Sequence, residues 1–134
     1  MISPDSELRK HLQTVAAAIG YTICDRVDEG QAYPFIYISD ISNIDMPIAG
    51  GRMWDVDLLL DVVTSYNQRS GGRKQADMIG NAVLTALLDS PYTDLGAYVI
   101  VKATLVNSNY LDEQTDSSYL IRKLLRINFQ IELQ

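Results

Sequence analysis

Three aspartates alternate with apolar residues in the most hydrophobic stretch of the chain, GGRMWDVDLLLDVVTS at 50–65. Asp55, Asp57 and Asp61 share one face of a strand with a two-residue period. The opposite face is apolar and carries Trp54, Val56, Leu58, Leu60 and Val62. A row of carboxylates of this kind could form a metal site, an acid–base pair or the water-facing side of a sheet.

The surrounding sequence favours the water-facing side. Asp55 and Asp57 would project about 6.5–7 Å apart along a strand, close enough to share a hard cation. However, no histidine lies nearby, and no loop has the Asp-x-Asp-x-Asn-Gly spacing of a calcium hand. An acid–base pair needs two carboxyl groups in different environments, which one open face does not provide. We therefore predict no catalytic residues, no metal and no cofactor, and expect that the chain is not an enzyme.

The other reactive residues form no recognisable constellation. His11 is the only histidine and falls at the edge of a helical stripe, whereas Cys24 lies in a short apolar segment typical of a small core residue. The SGG at 70–72 precedes a predicted helix and could cradle an anion, but it is not part of a Walker motif. A flexible connection into a helix is the simpler interpretation.

Composition excludes several classes of protein. The chain has 134 residues, one cysteine and a formal net charge of −6, which argues against an intrachain disulfide and against a groove that grips nucleic acid. The start, MISPDSELRK, does not resemble a secretory signal, and the apolar runs are too short to cross a bilayer. We expect a soluble protein with no membrane partner, made in the cytoplasm.

Hydrophobic periodicity predicts two helices separated by strands. Leu8, Leu12, Val15 and Ile19 form the stripe of the first helix. The predicted elements are, in order, a helix at 4–19, a weak strand at 21–25, a strand at 33–40, a long loop or hairpin arm at 41–51, a strand at 52–65, a connection at 66–72, a helix from Arg73 that ends before Ser90 and Pro91, a strand at 97–106, a polar loop at 107–118 and a strand at 119–133.

This order, α-β-β-β-α-β-β, predicts a single α+β domain over residues 1–134. The sheet should be mostly antiparallel, with both helices packed on one face. We expect exposed loops at about 41–52, 66–72 and 107–118, where Gly, Asn, Asp and Pro concentrate.

The same layout resembles a known family. The segments on which this resemblance rests are YPFIYI at 33–38, WDVDLLLDVVT at 54–64, SYNQRSGG at 65–72, ADMIGNAVLTAL at 76–87 and LLRINFQI at 124–131. Together they resemble the small tail-terminator, or tail-completion, proteins of long-tailed bacteriophages. Trp54 and the junction of SGG with the helix carry most of the likeness, which extends over about residues 4–133.

The resemblance implies a structural virion protein without catalytic residues. Such a protein forms a ring, typically of six subunits, that caps the tail-tube protein and meets the neck or connector on the head side. DNA would pass through the ring without specific binding, and negative walls would repel its phosphates. The alternatives are a neck or head-closure protein of the same apparatus and a small cytoplasmic ligand-binding α+β domain.

The ring hypothesis assigns candidate residues. Carboxylates and guanidinium groups on the polar sheet face could line the channel or pair with each other, within one sheet or between subunits, and these are Asp55, Asp57, Asp61, Arg122 and Arg126. Residues in the expected loops could contact other virion proteins, and these are Met46, Arg52, Asn67, Arg69, Tyr110 and Asp112.

Overall fold

The computed structural model describes residues 3–27, 30–66, 73–89, 92–114 and 119–134. In these residues the chain forms two helices, α1 (Asp5–Ile19) and α2 (Arg73–Leu88). The strands are β1 (Ile23–Cys24), β2 (Phe35–Ile48), β3 (Gly51–Tyr66), β4 (Thr93–Asp94), β5 (Tyr98–Gln114) and β6 (Tyr119–Leu133).

The strands form one sheet in the order β1-β2-β3-β6-β5-β4. Every pairing is antiparallel except that of β1 with β2, so the sheet is mixed but mostly antiparallel. The α+β prediction is confirmed, and the structure adds the short strand β4, which is too brief to leave a periodic pattern.

Both helices pack on the face of the sheet that carries Trp54, as predicted. Leu8, Leu12 and Val15 of α1 join one continuous core with Ile79, Val83 and Leu87 of α2. The sheet contributes the alternating apolar residues of β3 and β6, including Trp54, Leu58, Leu60, Leu125, Ile127, Phe129 and Ile131. Each large side chain buried in this way stabilises the fold by roughly 1.5–3 kcal/mol.

The ends of α1 agree with the sequence to within one residue. The helix begins at Asp5, whose backbone N–H lies 3.4 Å from the hydroxyl of Ser3. It ends at Gly20, which adopts a φ of 85° and donates to the carbonyls of Ala16 and Ala17. A residue with positive φ is accommodated most easily as glycine, so Gly20 fixes the end of the helix.

The expected loop at 41–52 is instead the arm of a β-hairpin. β2 continues to Ile48 and pairs with β3 as far as Gly51, so only Ala49 and Gly50 form the turn. Of the two alternatives for 41–51, a long loop or a hairpin arm, the structure shows the hairpin arm. The loop was the wrong alternative, suggested by the typical turn residues Asn43, Asp45 and Pro47. An edge strand tolerates such residues, because its outer backbone groups can face water. The expected exposure is present, since residues 44–52 are exposed.

The expected loop at 107–118 is also largely strand. β5 runs to Gln114 and pairs with β6 along its whole length, with irregularities between Ile100 and Lys102 and between Leu105 and Asn107. The polar sequence misled the prediction because this part of β5 is an edge strand whose side chains are mostly exposed. Residues 115–118, like residues 67–72 of the predicted connection, lie outside the described residues.

Candidate functional site

The face of the sheet turned away from the helices is the surface on which the predicted residues converge. The strand registers place side chains in rows that cross β2, β3, β6 and β5 in turn. Three consecutive rows are Ile44–Asp55–Gln130–Lys102, Ser42–Asp57–Asn128–Thr104 and Asp40–Leu59–Arg126–Asn107. We call this surface the open face.

The open face is mostly polar and carries more acidic than basic residues. Its acidic residues among the described positions are Asp40, Asp55, Asp57, Asp61, Glu113 and Glu132, and its basic residues are Lys102, Arg122 and Arg126. The prediction that the aspartates share the polar face of the sheet is therefore correct in position. The structure then divides them into two different environments.

Asp61 is a buried partner of Arg122 rather than an exposed carboxylate. Its side chain is fully buried, and Oδ2 accepts a hydrogen bond from Nε of Arg122 at 3.1 Å and a second from Nη2. The same guanidinium donates through Nη1 to Glu113 at 2.9 Å. The hydrogen bond to Asp61 raises the pKa of Arg122 above its ordinary value despite partial burial. This pair stabilises one chain internally.

Asp55 and Asp57 are joined by an amide instead of a cation. Nδ2 of Asn128 donates to Oδ1 of Asp55 at 2.6 Å and to Oδ1 of Asp57 at 3.0 Å. Among the described residues neither aspartate has an ion-pair partner. Both negative charges therefore remain uncompensated on the open face.

Two basic residues of the open face, Arg126 on β6 and Lys102 on β5, are equally uncompensated. Arg126 and Lys102 are exposed, and neither has an ion-pair partner in the described part of the chain. Arg126 lies in the row next to Asp57 but makes no ion pair with it. Of the predicted contacts between the aspartates and the arginines, the structure forms only that of Asp61 with Arg122.

The candidate loop residues lie in strands wherever the structure describes them. Met46 is paired with Met53 and Arg52 with Pro47 near the tip of the β2–β3 hairpin. Arg52 forms an exposed ion pair with Asp45 at 3.5 Å. Tyr110 and Asp112 lie in β5 and contact α2. Asn67 and Arg69 fall outside the described residues.

A second polar cluster, which the sequence did not predict, joins α2 to the β5–β6 hairpin. Nζ of Lys123 donates to Oδ1 of Asp77 at 2.8 Å, and the hydroxyl of Tyr110 donates to the same oxygen. Arg73 pairs with Asp112 at 3.1 Å and stacks 4.7 Å from the centre of the Tyr110 ring. These contacts fasten the first turns of the helix to the sheet.

The cluster shifts the pKa values of both central groups. The hydrogen bonds from Lys123 and Tyr110 lower the pKa of Asp77 below its ordinary value. Burial alone would lower the pKa of Lys123, but the hydrogen bond and the attraction of Asp77 raise it overall. Each charge is therefore stabilised by the other.

Two signals in the sequence pointed to this cluster. Lys123 is the only charged residue in the inward-facing series of β6, which otherwise runs Ile121, Leu125, Ile127, Phe129 and Ile131. Gly80 interrupts the apolar stripe of α2, and a Cβ at that position would lie 3.2 Å from Cδ of Lys123. A lysine that points inward opposite a small helical residue can pass its aliphatic stem along the helix, so that its ammonium group reaches a partner.

The residues with reactive side chains do not assemble a chemical centre. His11 is half-buried, which lowers its pKa, and it lines an open groove of about 270 Å³ with Glu7, Lys10, Thr14, Asp94 and Leu95. Cys24 does not line that groove. No group of three or more potential ligands among the described residues is arranged to hold a metal. In the same residues no helix has the length and apolarity needed to cross a bilayer.

The space under the helices is too small for a ligand. The crevice between α1, α2 and the sheet has a volume of about 10 Å³ and is lined only by apolar side chains such as Leu12, Ile36, Leu60 and Val83. That volume is at the lower limit for a single water molecule.

Comparison with known proteins gives one family and one fold. A family model described as "Tail completion protein gp17" matches residues 6–131. A chain of a solved structure, "Virion of native gene transfer agent (GTA) particle", superimposes with a TM-score of 0.67 and 19% sequence identity, and the match covers 95% of this chain and 90% of that one. No protein with a curated description matches the sequence. At this identity, the structural likeness shows a common fold.

Proposed function

The chain belongs to the tail completion protein gp17 family, and we propose that it ends the tail tube as a closed ring of identical subunits, typically six. Membership confirms the resemblance inferred from the sequence and makes the chain a tail completion protein of a phage-like virion. The ring, its seat on the tube and its contact with the head-side connector are our proposal. The observation that carries the proposal is that the family match spans nearly the whole fold, from α1 to the end of β6.

The open face supports a position next to the DNA. In a ring whose helices face outward, this face would line the channel, with Asp55 and Asp57 exposed to the passing phosphates. Acidic residues outnumber basic residues on it, and a negative wall repels DNA instead of retaining it. The protein then needs no nucleic-acid binding site, in agreement with its net charge of −6.

The uncompensated charges of the open face support contact between neighbouring subunits. Asp57 and Arg126 are both free of ion pairs within the described chain. A ring requires heterologous contacts that close on themselves, and opposite charges on one face can contribute to them. Asp61 and Arg122 do not belong to this set, because they neutralise each other inside one chain.

The proposal is tested on purified tail tubes of the same particle. The protein is added to tubes with free ends, fresh tube subunits follow, and tube length and end density are measured by electron microscopy. We expect one ring at one end of each tube and no further growth at that end. Unchanged growth would contradict the proposal. Binding to the isolated head-side connector without any effect on the tube would favour the neck alternative.

The charge contribution is tested in the same assay. Asp57→Lys and Arg126→Glu should each weaken assembly, and the double variant should recover part of it. Lys74→Glu, at an exposed position of α2 away from the open face, serves as a control for a simple change in net charge. Assembly that is unchanged in both single variants and in the double variant would eliminate the charged contact while leaving the ring intact.

A further inference from the structure

β2 and β5, which lie next to the short outermost strands β1 and β4, each have one edge that is unpaired over most of its length. β1 covers β2 only at Ile36 and Tyr37, and β4 covers β5 only at Val99 and Ile100. Beyond these positions, β2 as far as Ile48 and β5 as far as Gln114 have no strand on their outer sides among the described residues. Unpaired edges of this length are templates for another strand.

The two edges match each other in direction and position. β2, β3, β6 and β5 alternate in direction, so β2 and β5 run antiparallel to each other. The registers place Ile41, Ser42, Asn43 and Ile44 in the same rows as Leu105, Thr104, Ala103 and Lys102. This four-residue segment of β5 lies between the two irregularities of the strand, so its outer edge is regular.

We propose that the β2 edge of one copy pairs with the β5 edge of the next, over residues 41–44 and 102–105. This inference rests on the proposed ring but not on a contact of Asp57 with Arg126, since both lie on central strands away from these edges. It names the surfaces that would close the ring. The occupant of each edge is a second copy of the same chain. The pairing would continue the sheet from one subunit to the next in an antiparallel ladder.

The apolar layer on the helix side favours this occupant. Ile41 and Leu105 pack against the core of their own chain but remain partly exposed at opposite edges of the sheet. Continuing the rows places Ile41 of one copy directly beside Leu105 of the next, about 4.5–5.5 Å apart at Cβ. Both side chains would then lose water-accessible apolar surface, which stabilises the contact.

The charges on the open face favour it as well. In the row of Asp55 and Lys102, which lies inside the proposed joint, opposite charges stand two strands apart. Continuing this row into a second copy gives each of the two charges another opposite charge two strands away, at about 9.5 Å. No like charges within one row come closer than four strands. The chain is thus complementary to itself across the proposed joint.

The test is an engineered disulfide. Ser42→Cys and Thr104→Cys are chosen because both residues are exposed and would be adjacent across the joint. They are combined in a Cys24→Ser background. Within one chain, three strand spacings, or about 14 Å, separate them, which is too far for a disulfide. Every crosslink is therefore intermolecular. Ser42→Cys with Ser108→Cys is the matched control, since Ser108 lies further along the same strand and on the other face.

Mass by light scattering and non-reducing gels are recorded together, with the protein alone and with tail-tube protein. We expect mild oxidation to give a ladder of linked subunits for the 42/104 pair and at least tenfold less linkage for the 42/108 pair. The edge pairing would be overturned if rings formed without the 42/104 ladder, or if the 42/104 and 42/108 variants were crosslinked equally. Either result would leave the proposed function standing. The absence of any oligomer in either sample would overturn both.

Discussion

At the residue scale, the aspartates that drew attention in the sequence prove to have different roles. Asp61 is fully buried against Arg122, whereas Asp55 and Asp57 stay on the open face and share the amide of Asn128. The alternating pattern predicts the face correctly because side-chain direction follows from strand period alone. It cannot predict burial along that face, since burial depends on which residues of neighbouring strands lie opposite.

Removing Arg122 should destabilise the fold through Asp61. Arg122→Met leaves a buried carboxylate without its cation, and we expect the free energy of unfolding to fall by about 3 kcal/mol. The double variant Asp61→Leu with Arg122→Met should recover most of that loss, because an apolar pair needs no desolvated charge. Urea denaturation measures both values.

Arg126→Met is the control for this experiment. Arg126 is an exposed arginine on the same strand without an ion-pair partner in the described residues, so its loss should change stability by no more than about 0.5 kcal/mol. Equal effects of the two arginine variants would contradict the assigned role of Arg122.

The contact between Asp77 and Lys123 should make stability depend on pH in acid. The pKa of Asp77 is lowered in the folded protein by hydrogen bonds from Lys123 and Tyr110. Its stabilising contribution is therefore complete above the unfolded pKa, about 4, and disappears as the pH falls through the lower folded pKa. Denaturation midpoints of the wild type and Asp77→Asn should differ from pH 5 to 7 and converge below pH 4.

Asp40→Asn provides the comparison, since Asp40 is an exposed aspartate with no partner among the described residues. Its midpoint should stay close to that of the wild type throughout this range. A constant gap between the wild type and Asp77→Asn down to pH 2 would show that the lowered pKa of Asp77 is not the source of the stabilisation.

At the element scale, the strongly periodic segments were predicted, whereas the edge strands β2 and β5 were predicted as strands only in their first halves. β3 and β6 lie in the centre of the sheet, where one face is covered by helices, so apolar residues recur at every second position over most of their length. The distal parts of β2 and β5 lie at the edges and have water on most sides. Their sequences therefore resemble loops, although their backbones pair with the neighbouring strand. The open face is recognisable from the sequence, but its full width is not.

The packing of α2 on the sheet depends on the space that Gly80 leaves for the side chain of Lys123. Gly80→Leu should lower stability by about 1–3 kcal/mol, because the larger side chain displaces the lysine stem from a packed position. Combining it with Lys123→Ala should reduce the loss of stability, since the effects of substitutions at two residues in contact are not additive. Thermal unfolding measures the coupling between the two positions.

Met78→Leu is the matched change on the exposed side of the same helix, because Met78 has 59% of its surface exposed. We expect it to alter stability by no more than about 0.5 kcal/mol. If Gly80→Leu were as mild as Met78→Leu, the stem of Lys123 would not be fixed in the way its contacts indicate.

At the scale of the whole molecule, the fold combines a well-filled core with one uncovered sheet face and two unpaired edges. A chain of 134 residues is long enough to bury such a core. The face and edges offer polar, charged and half-exposed apolar groups, several of which have no partner among the described residues. The sequence predicts the family through the order of its elements, but the edges emerge only once the registers of β2 and β5 are known.

The central claim, that this tail completion protein acts as a closed ring on the tail tube, is tested most directly by mass. Light scattering is measured on the protein alone and mixed with the tail-tube protein of the same particle, with an unrelated soluble protein as the control mixture. We predict a species of six copies of the 15.0 kDa chain, either alone or only with the tube protein. A monomer whose mass is unaffected by the tube protein would contradict the account.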